Sequence, residues 1–532
     1  MAGRLSIVIN TGGAETEVED VSEPTGDSRL DPEVAVADDK VRIRYWDIGI
    51  ALAVLAVSAW FRHRQLGPPS LWLDDAWPAL VIKTGWSDIT TVSLTAPGFA
   101  AALKTWLHFT GFSATKAQSL AFVIGIAAPA LLWLLCLTRR LGRPAALAAA
   151  TLLVTSPAHI VYSARVKQYT LDSVLVIVLL WLTWRGLERP DDKRRWYLLA
   201  LAAAVATATS SGIVPVVIGA FGAALLAIRA VDRPIRRRAI GAGAAYIVFA
   251  VAWWGLVLRP RLGTALRDYW RSFYVSSSNP GGVTVGLRSV ATRTAEGFSD
   301  LPVLLTIIVF VVAAVVVVRT RPVLSIVLLG PFVIAVVLAI LQLAPIGTGR
   351  TDIYLYPLFA VLIAVALAEI SIRHVLGIIL ALAVVVAGFA RAQAPSSYPQ
   401  ENMKEAVEFL NDHVRPDDTI MVYSGGRYAF ALYAPPAWKV TVFATKDQTN
   451  GFDVRIHRPH LSILNSYESV ARYRKTVELV AQGAPRVWFI GSHGRLDALD
   501  IERALGDLGY RTAVRRQDHE AWFVSLWVKR PE

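Results

Sequence analysis

The chain has a single cysteine, Cys136, among its 532 residues. It lies in an apolar segment, so no internal disulfide staples any part of the protein. There is no H-E-x-x-H, paired-histidine or paired-cysteine spacing, which leaves a zinc site of the usual protein kind without support. No P-loop and no strand-led nucleotide fingerprint occur, which argues against a cytoplasmic ATP-driven mechanism. Charge is scarce, at 18% of residues. No internal repeat is visible. Residues 1–40 are acidic, polar and aperiodic rather than basic and then apolar, so they read as a disordered cytoplasmic tail and not as a cleavable signal.

What fills the remainder is apolar sequence, 54% of the chain, gathered in long blocks. A bilayer core takes roughly 20 such residues per helix, and that ruler places about eleven spans. The expected fold class is a polytopic α-helical membrane protein with a C-terminal extracytoplasmic α/β domain. The net charge of +13 sits in short basic clusters between the apolar blocks. That is the positive-inside pattern of a cell (plasma or inner) membrane protein, and it removes the need for a nucleic-acid partner.

The first span, Asp47–Phe61, leaves the cytoplasm from Arg42 and Arg44. A long outer loop, residues 62–112, follows. Within it Ala96–Phe109 is amphipathic: Phe99, Leu103, Trp106 and Leu107 share one helical face and Lys104 and His108 another, as in a helix lying in the interface. Later spans alternate between basic runs (Arg139, Arg140 and Arg143; Lys193-Arg194-Arg195; Arg236-Arg237-Arg238; Arg319 and Arg321; Arg373) and outer turns. Those turns lie at Ser163–Tyr169, Ser210-Ser211-Gly212, Arg259–Asp300 and Gly347–Asp352. Span three lies around Ala145–Tyr162, and span eleven ends near Arg391. An odd count puts the N-terminus inside and the C-terminus outside.

The expected domains are therefore the tail 1–40, a membrane domain 41–394 and an extracytoplasmic domain 395–532. In the last, strand-like runs at Thr419–Ser424, Lys439–Ala444, Val487–Ile490 and Trp522–Val528 alternate with helical patterns at Asn402–Val414, Ser466–Gln482 and Ala498–Leu508. That alternation predicts a small α/β sandwich. Ser424-Gly425-Gly426-Arg427, after the first of these strands, reads either as a turn or as a phosphate loop.

The most unusual segment is Ser70-Leu71-Trp72-Leu73-Asp74-Asp75-Ala76-Trp77. Two adjacent carboxylates between tryptophans at a membrane surface can take a proton from a hydroxyl or hold a divalent cation beside a phosphate. The bland alternative is a solvated turn flanked by an interfacial aromatic belt. On the same side fall Lys104, Arg165, Lys167, Arg259, Arg261, Arg267 and Arg350, the reverse of the charge bias expected of short outer loops. Anionic head groups explain them, since guanidinium forks phosphate oxygens and lysine acts as a point charge; lipid-anchoring snorkels are the alternative. Thr348, Asp352 and Tyr354 make the surroundings of Arg350 polar, and Asp352 is expected to pair with Arg350. His108 and His159 read as satisfied helix residues.

Several segments together resemble the GT-C glycosyltransferases of the protein O-mannosyltransferase and 4-amino-arabinose transferase type. The acidic pair of that family's first outer loop is similar to Leu71–Trp77, though commonly Asp-Glu where this chain has Asp-Asp. Its proline-led juxtamembrane helix resembles Ala96-Pro97-Gly98-Phe99 through Trp106, His108 and Gly111. Its Ser-Arg-…-Tyr segment resembles Tyr162–Tyr169, and its late Arg-…-Pro segment resembles Gly349–Pro357. The resemblance covers roughly residues 40–390.

It implies a sugar donor on a polyprenyl monophosphate and an acceptor that is a glycan, glycolipid or protein, met among membrane lipids. Asp74 would be the general base of an inverting displacement, and Asp75 would orient the neighbours of Asp74 or ligate a cation. Arg165, Lys167, Tyr169 and Arg350 would bind the donor phosphate. Lys104, His108, Arg259, Arg261 and Tyr354 are candidate substrate contacts. The resemblance fixes no cofactor; any divalent cation (Mg or Mn) would rest on Asp74 and Asp75, and where some members place a further acid or histidine, this chain has Thr95-Ala96-Pro97. Mannose or arabinose is the sugar that analogy favours. The rivals are a flippase or transporter of a lipid-linked sugar and a non-catalytic cell-envelope assembly protein.

Overall fold

The computed structural model describes residues 43–67, 70–93, 96–230, 232–259, 264–275, 282–299, 301–373, 401–445, 451–464, 470–492, 495–518 and 522–530, with isolated positions 379, 383 and 386. The tail, the eleventh expected span and the linker near Ala394 lie outside them. Seven helices among the described residues are long and apolar enough to cross a membrane: Tyr45–His63, Ala114–Thr138, Tyr169–Glu188, Arg233–Leu258, Val303–Thr320, Pro322–Ile340 and Ile353–Ile370. Lys193–Thr209, opened by three basic residues, and the shorter apolar Ser211–Ala227 occupy the fifth and sixth expected spans. Exposed side chains such as Ile247, Val248, Leu256 and Leu304 leave faces of these helices apolar on the outside, as a lipid solvent requires.

The third expected span is not continuous. Arg143–Val154 and Pro157–Ser163 meet at a 59° bend. Thr155-Ser156-Pro157 causes it: proline has no N–H to continue the ladder, and the Ser156 hydroxyl caps the new helix by accepting from His159 N. Buried Arg62, in the last turn of the first span, holds the bend. Its Nη1 donates to the carbonyls of Ser58 (3.1 Å) and Val154 (3.3 Å). Its Nη2 donates to the Leu153 carbonyl (3.1 Å) and His159 Nδ1 (2.8 Å), and its Nε to Ser163 Oγ (3.0 Å). Carbonyls left without a partner at a helix end are thereby satisfied by a side chain. Gly125 lets this bend sit close, because a Cβ there would overlap Ser163.

The C-terminal region is a five-stranded sheet in the order β4-β1-β5-β7-β6, with a two-stranded β2-β3 ribbon. Here β1 is Thr419–Tyr423, β2 Lys439–Ala444, β3 Phe452–His457, β4 Leu461–Leu464, β5 Arg486–Ser492, β6 Tyr510–Asp518 and β7 Trp522–Lys529. β1 runs parallel to both β4 and β5, while β7 is antiparallel to β5 and β6. β3, β4 and β6 were not anticipated; β6 in particular carries the polar run Arg515-Arg516-Gln517-Asp518.

Alternate residues of β1 enter different cores. Met421 and Tyr423 join the core beneath Val470–Ala481 and Arg495–Asp507. Ile420 and Val422 join a second core with Met403, Phe430, Phe452 and Trp488. That second core continues into the first loop, taking in Leu71, Ala76, Leu80, Phe99 and Leu103. Segments that the sequence assigns to separate domains thus bury their apolar faces together, at roughly 1.5–3 kcal/mol per large side chain. The helix Pro97–Thr110 accordingly turns Phe99, Leu103 and Leu107 into protein, and leaves His108 and Phe109 exposed.

Candidate active site

Three segments from distant parts of the chain meet at one end of the helical bundle. The first is the short helix Leu73–Ala79, whose opening turn carries Asp74 and Asp75, where the helix dipole favours negative charge. The second is the link Ala164–Gln168 that the bent pair delivers. The third is the turn Gly347–Tyr354. There Gly347 and Gly349 adopt positive φ (72° and 67°), a conformation glycine takes without a Cβ penalty. Between them the Thr348 hydroxyl accepts from the amides of Arg350 (3.1 Å) and Thr351 (2.8 Å).

This turn aims Arg350 at the acidic helix. Arg350 Nη1 donates to Asp74 Oδ2 at 2.9 Å, with the two side chains 18% and 21% exposed. Asp352, expected as the partner of Arg350, is not. It is buried, and accepts instead from Gly347 N (3.2 Å) and Thr348 Oγ1 (2.8 Å). Those bonds tie its carboxylate into the turn and leave the guanidinium to Asp74. Burial pushes the Asp352 carboxyl above the usual range.

Asp75 points the other way and is fully buried. Its Oδ1 accepts from Val166 N at 3.0 Å, and its Oδ2 lies 3.5 Å from Arg165 Nη1. Burial raises its carboxyl to about 6, against the opposing pull of Arg165 and Lys167. Buried Lys167 is lowered to about 7 by desolvation, with Asp74 and Asp75 acting in the opposite sense. The two flanking tryptophans complete the pattern. Arg165 lies over Trp72 at 4.9 Å and Lys167 over Trp77 at 3.8 Å, cation–π contacts that hold both cations without neutralising them. The aromatic flanks are thus cation seats as well as apolar anchors.

Tyr169 is buried and meets Tyr162 edge-on at 5.0 Å, within electrostatic reach of Arg350. Tyr354 is buried beside Gly212 and Asp172. Lys104 spends its ammonium on the carbonyls of Val81 (3.0 Å) and Thr84 and on the face of Trp86, a brace for residues 81–86. His108 is exposed against Phe109. Arg259 stacks on Trp254 of its own helix, and Arg261 lies outside the described residues. The Ser424–Gly426 turn is packed tight: a Cβ on Gly425 would strike Tyr423 and Ser492, and one on Gly426 would press on Met403.

Sequence reasoning missed Tyr269 and Trp270. The Tyr269 hydroxyl accepts from Arg350 Nη2 at 2.8 Å, and Trp270 lies under the guanidinium at 4.5 Å. The signal was present: an aromatic pair beside Arg267 and Asp268 in a long loop between spans repeats the mixture seen at Trp72–Trp77.

Among the described residues no group of three or more His, Cys, Asp and Glu forms a metal-ligand set. The two carboxylates do not fit a divalent cation as they stand, because each already faces an arginine. A bound ion would have to displace Arg350 from Asp74.

The architecture is shared with solved structures. A structure of ArnT from Cupriavidus metallidurans bound to undecaprenyl phosphate superposes with a TM-score of 0.53, at 13% identity, over 90% of this chain and 97% of that one. The apo state of the same protein gives a TM-score of 0.51 at the same identity and coverage. The chain therefore shares the GT-C fold of these structures, and its long apolar helices are those of a multi-pass membrane protein. Residues 95–254 match the family described as dolichyl-phosphate-mannose-protein mannosyltransferase. No curated protein matches the sequence.

Proposed function

We propose that the chain transfers a sugar from a polyprenyl monophosphate to an acceptor hydroxyl, at the outer face of the cell membrane. The observation that carries this reading is one carboxylate, Asp74, held at the edge of a cluster of three cations, Arg165, Lys167 and Arg350. Asp74 takes the proton of the acceptor hydroxyl as its oxygen attacks the anomeric carbon opposite the phosphate. The new carbon–oxygen bond forms as the bond to the phosphate oxygen breaks, and its electrons leave on the phosphate. The anomeric centre is inverted.

The leaving phosphate gains charge in this step, and preorganised cations stabilise charge that develops in a transition state. Arg350 supports both halves. Before substrate it holds Asp74 in orientation, and the donor phosphate would draw on the same guanidinium. Asp75 keeps Arg165 and the Val166 amide in place. The sugar proposed is mannose or an arabinose-type sugar, and the acceptor a glycan, glycolipid or protein. The gathering of charge at one end of the bundle favours surface chemistry over translocation, which places ionisable groups at mid-bilayer depth.

The test is a screen of polyprenyl-phosphate sugars against membranes containing the overexpressed protein, with transfer scored on endogenous acceptors. One donor is expected to be consumed above control membranes, with the anomeric configuration inverted in the product. Retention of configuration, or movement of the intact lipid-linked sugar without transfer, contradicts the reading.

A further inference from the structure

The acidic helix does not cap itself. Its N-cap residue is Trp72, whose side chain makes no capping hydrogen bond, yet the first N–H groups of a helix need acceptors when buried. The first of them, the Leu73 amide, finds Glu401 Oε2 at 3.4 Å, and the Leu71 amide just ahead of the N-cap donates to the Tyr433 hydroxyl at 2.7 Å, both partners more than three hundred residues away. Ser70 Oγ donates to the Glu401 carbonyl at 2.9 Å. At the far end Trp77 packs edge-on against Tyr428, and Lys83 reaches the Ala434 carbonyl at 3.4 Å.

Tyr428 and Tyr433 belong to one helix, Arg427–Tyr433, which is itself fixed. Arg427 Nε is 2.8 Å from Asp453, and the Tyr428 hydroxyl donates to the Phe452 carbonyl at 2.9 Å. Glu401 sits two residues before the helix Met403–His413. The acidic helix is therefore seated on the C-terminal domain at both ends, while the cations read as phosphate ligands come from the links between membrane helices.

We propose that the C-terminal domain is a brace that sets the position of Asp74, with Tyr433 and Glu401 as its positioning residues. Neither touches the reacting atoms; Glu401 supplies in trans the cap that Trp72 lacks, and Tyr433 pins the residue just ahead of it. The proposal rests on Asp74 being the proton acceptor, and it separates two duties: the C-terminal domain governs the base, and the membrane domain governs the donor phosphate. Loosening the brace slows turnover and spares donor affinity.

The experiment uses full-length protein in detergent, with Tyr433→Phe, Glu401→Ala and Glu401→Gln. Amide exchange of residues 70–79 is read by mass spectrometry without any substrate, and turnover is read with undecaprenyl-phosphate mannose as probe. Tyr433→Phe and Glu401→Ala are expected to speed exchange at Leu71 and Leu73 and to lower kcat by about tenfold, with donor KM changed by less than about twofold, the scale of one lost hydrogen bond. Glu401→Gln keeps an acceptor oxygen, so it stays within about twofold of wild type.

Unchanged exchange in both Tyr433→Phe and Glu401→Ala overturns the brace. So does a Glu401→Gln variant as slow as Glu401→Ala, which would make the charge and not the cap the active element. If Glu401→Ala fails to accumulate, Tyr433→Phe, which removes a single oxygen, decides alone. Wild type that transfers nothing from the probe while the exchange results hold counts against the proposed reaction and leaves the brace standing.

Discussion

Arg350 and Asp74, 276 residues apart, share a 2.9 Å charge-assisted hydrogen bond at the mouth of the cluster. The bond joins the group read as proton acceptor to a group read as phosphate ligand. It predicts non-additive kinetics: residues acting as one unit lose about as much singly as together. Arg350→Met, Asp74→Asn and the double variant should fall to similar kcat/KM values, whereas Arg350→Met combined with Lys104→Met should show the Arg350 effect alone. Turnover of the purified variants on a common donor measures this, and full additivity of Asp74→Asn and Arg350→Met would contradict it.

The pH profile follows from the two buried groups behind the pair. Asp75, raised to about 6, must be ionised to hold Arg165, so activity rises as pH increases through that value. Lys167, lowered to about 7, must stay protonated to meet a phosphate, so activity falls as pH increases through that value. The kcat/KM profile, which reports the free enzyme, should be a narrow bell. Lys167→Arg should extend the alkaline side, because guanidinium does not titrate in this range. Because the groups interact, the two limbs belong to the cluster as a whole.

Arg62 makes a stability prediction. Replacing it with methionine removes the donor from the Leu153 and Val154 carbonyls and from Ser163, and each buried group left unpartnered costs about 1–3 kcal/mol. Thermal unfolding of Arg62→Met in detergent should begin well below that of wild type. Arg503→Met, which loses only an exposed Asp500 contact, should unfold at the wild-type temperature.

Trp72 should act on affinity and not on the chemical step. Trp72→Leu preserves an apolar surface but removes the ring under Arg165, and a buried cation–π contact contributes about 2 kcal/mol. Donor KM is expected to rise several-fold with kcat little changed, the reverse of the split expected for Tyr433→Phe.

Much of this was legible in the sequence, because a bilayer imposes a length and a polarity that composition must obey. Ten of the eleven expected spans fall on described helices, although Thr155-Ser156-Pro157 breaks the third, and a hydropathy window averages over such a break. The residue types of the site were legible too, since carboxylates and arginines clustered at one side of a membrane protein are costly unless used. The pairings were not. Asp352, two residues from Arg350, looked like its partner, but the two left-handed glycines turn the carboxylate inward and the guanidinium outward. Nothing in Trp72 announces that its helix is capped by Glu401 and its approach held by Tyr433, because partners supplied in trans leave no spacing to read. Asp74 and Asp75 are adjacent in sequence, yet one faces Arg350 and the other is buried against Arg165, a division of labour that only the helix geometry creates.

The most direct measurement is transfer by purified Asp74→Asn supplied with a labelled polyprenyl-phosphate sugar, alongside donor binding to the same preparation. The account predicts that transfer falls by about 10²–10⁴, the usual share of a general base, while the donor still binds because Arg165 and Lys167 are untouched. Transfer at the wild-type rate would contradict it.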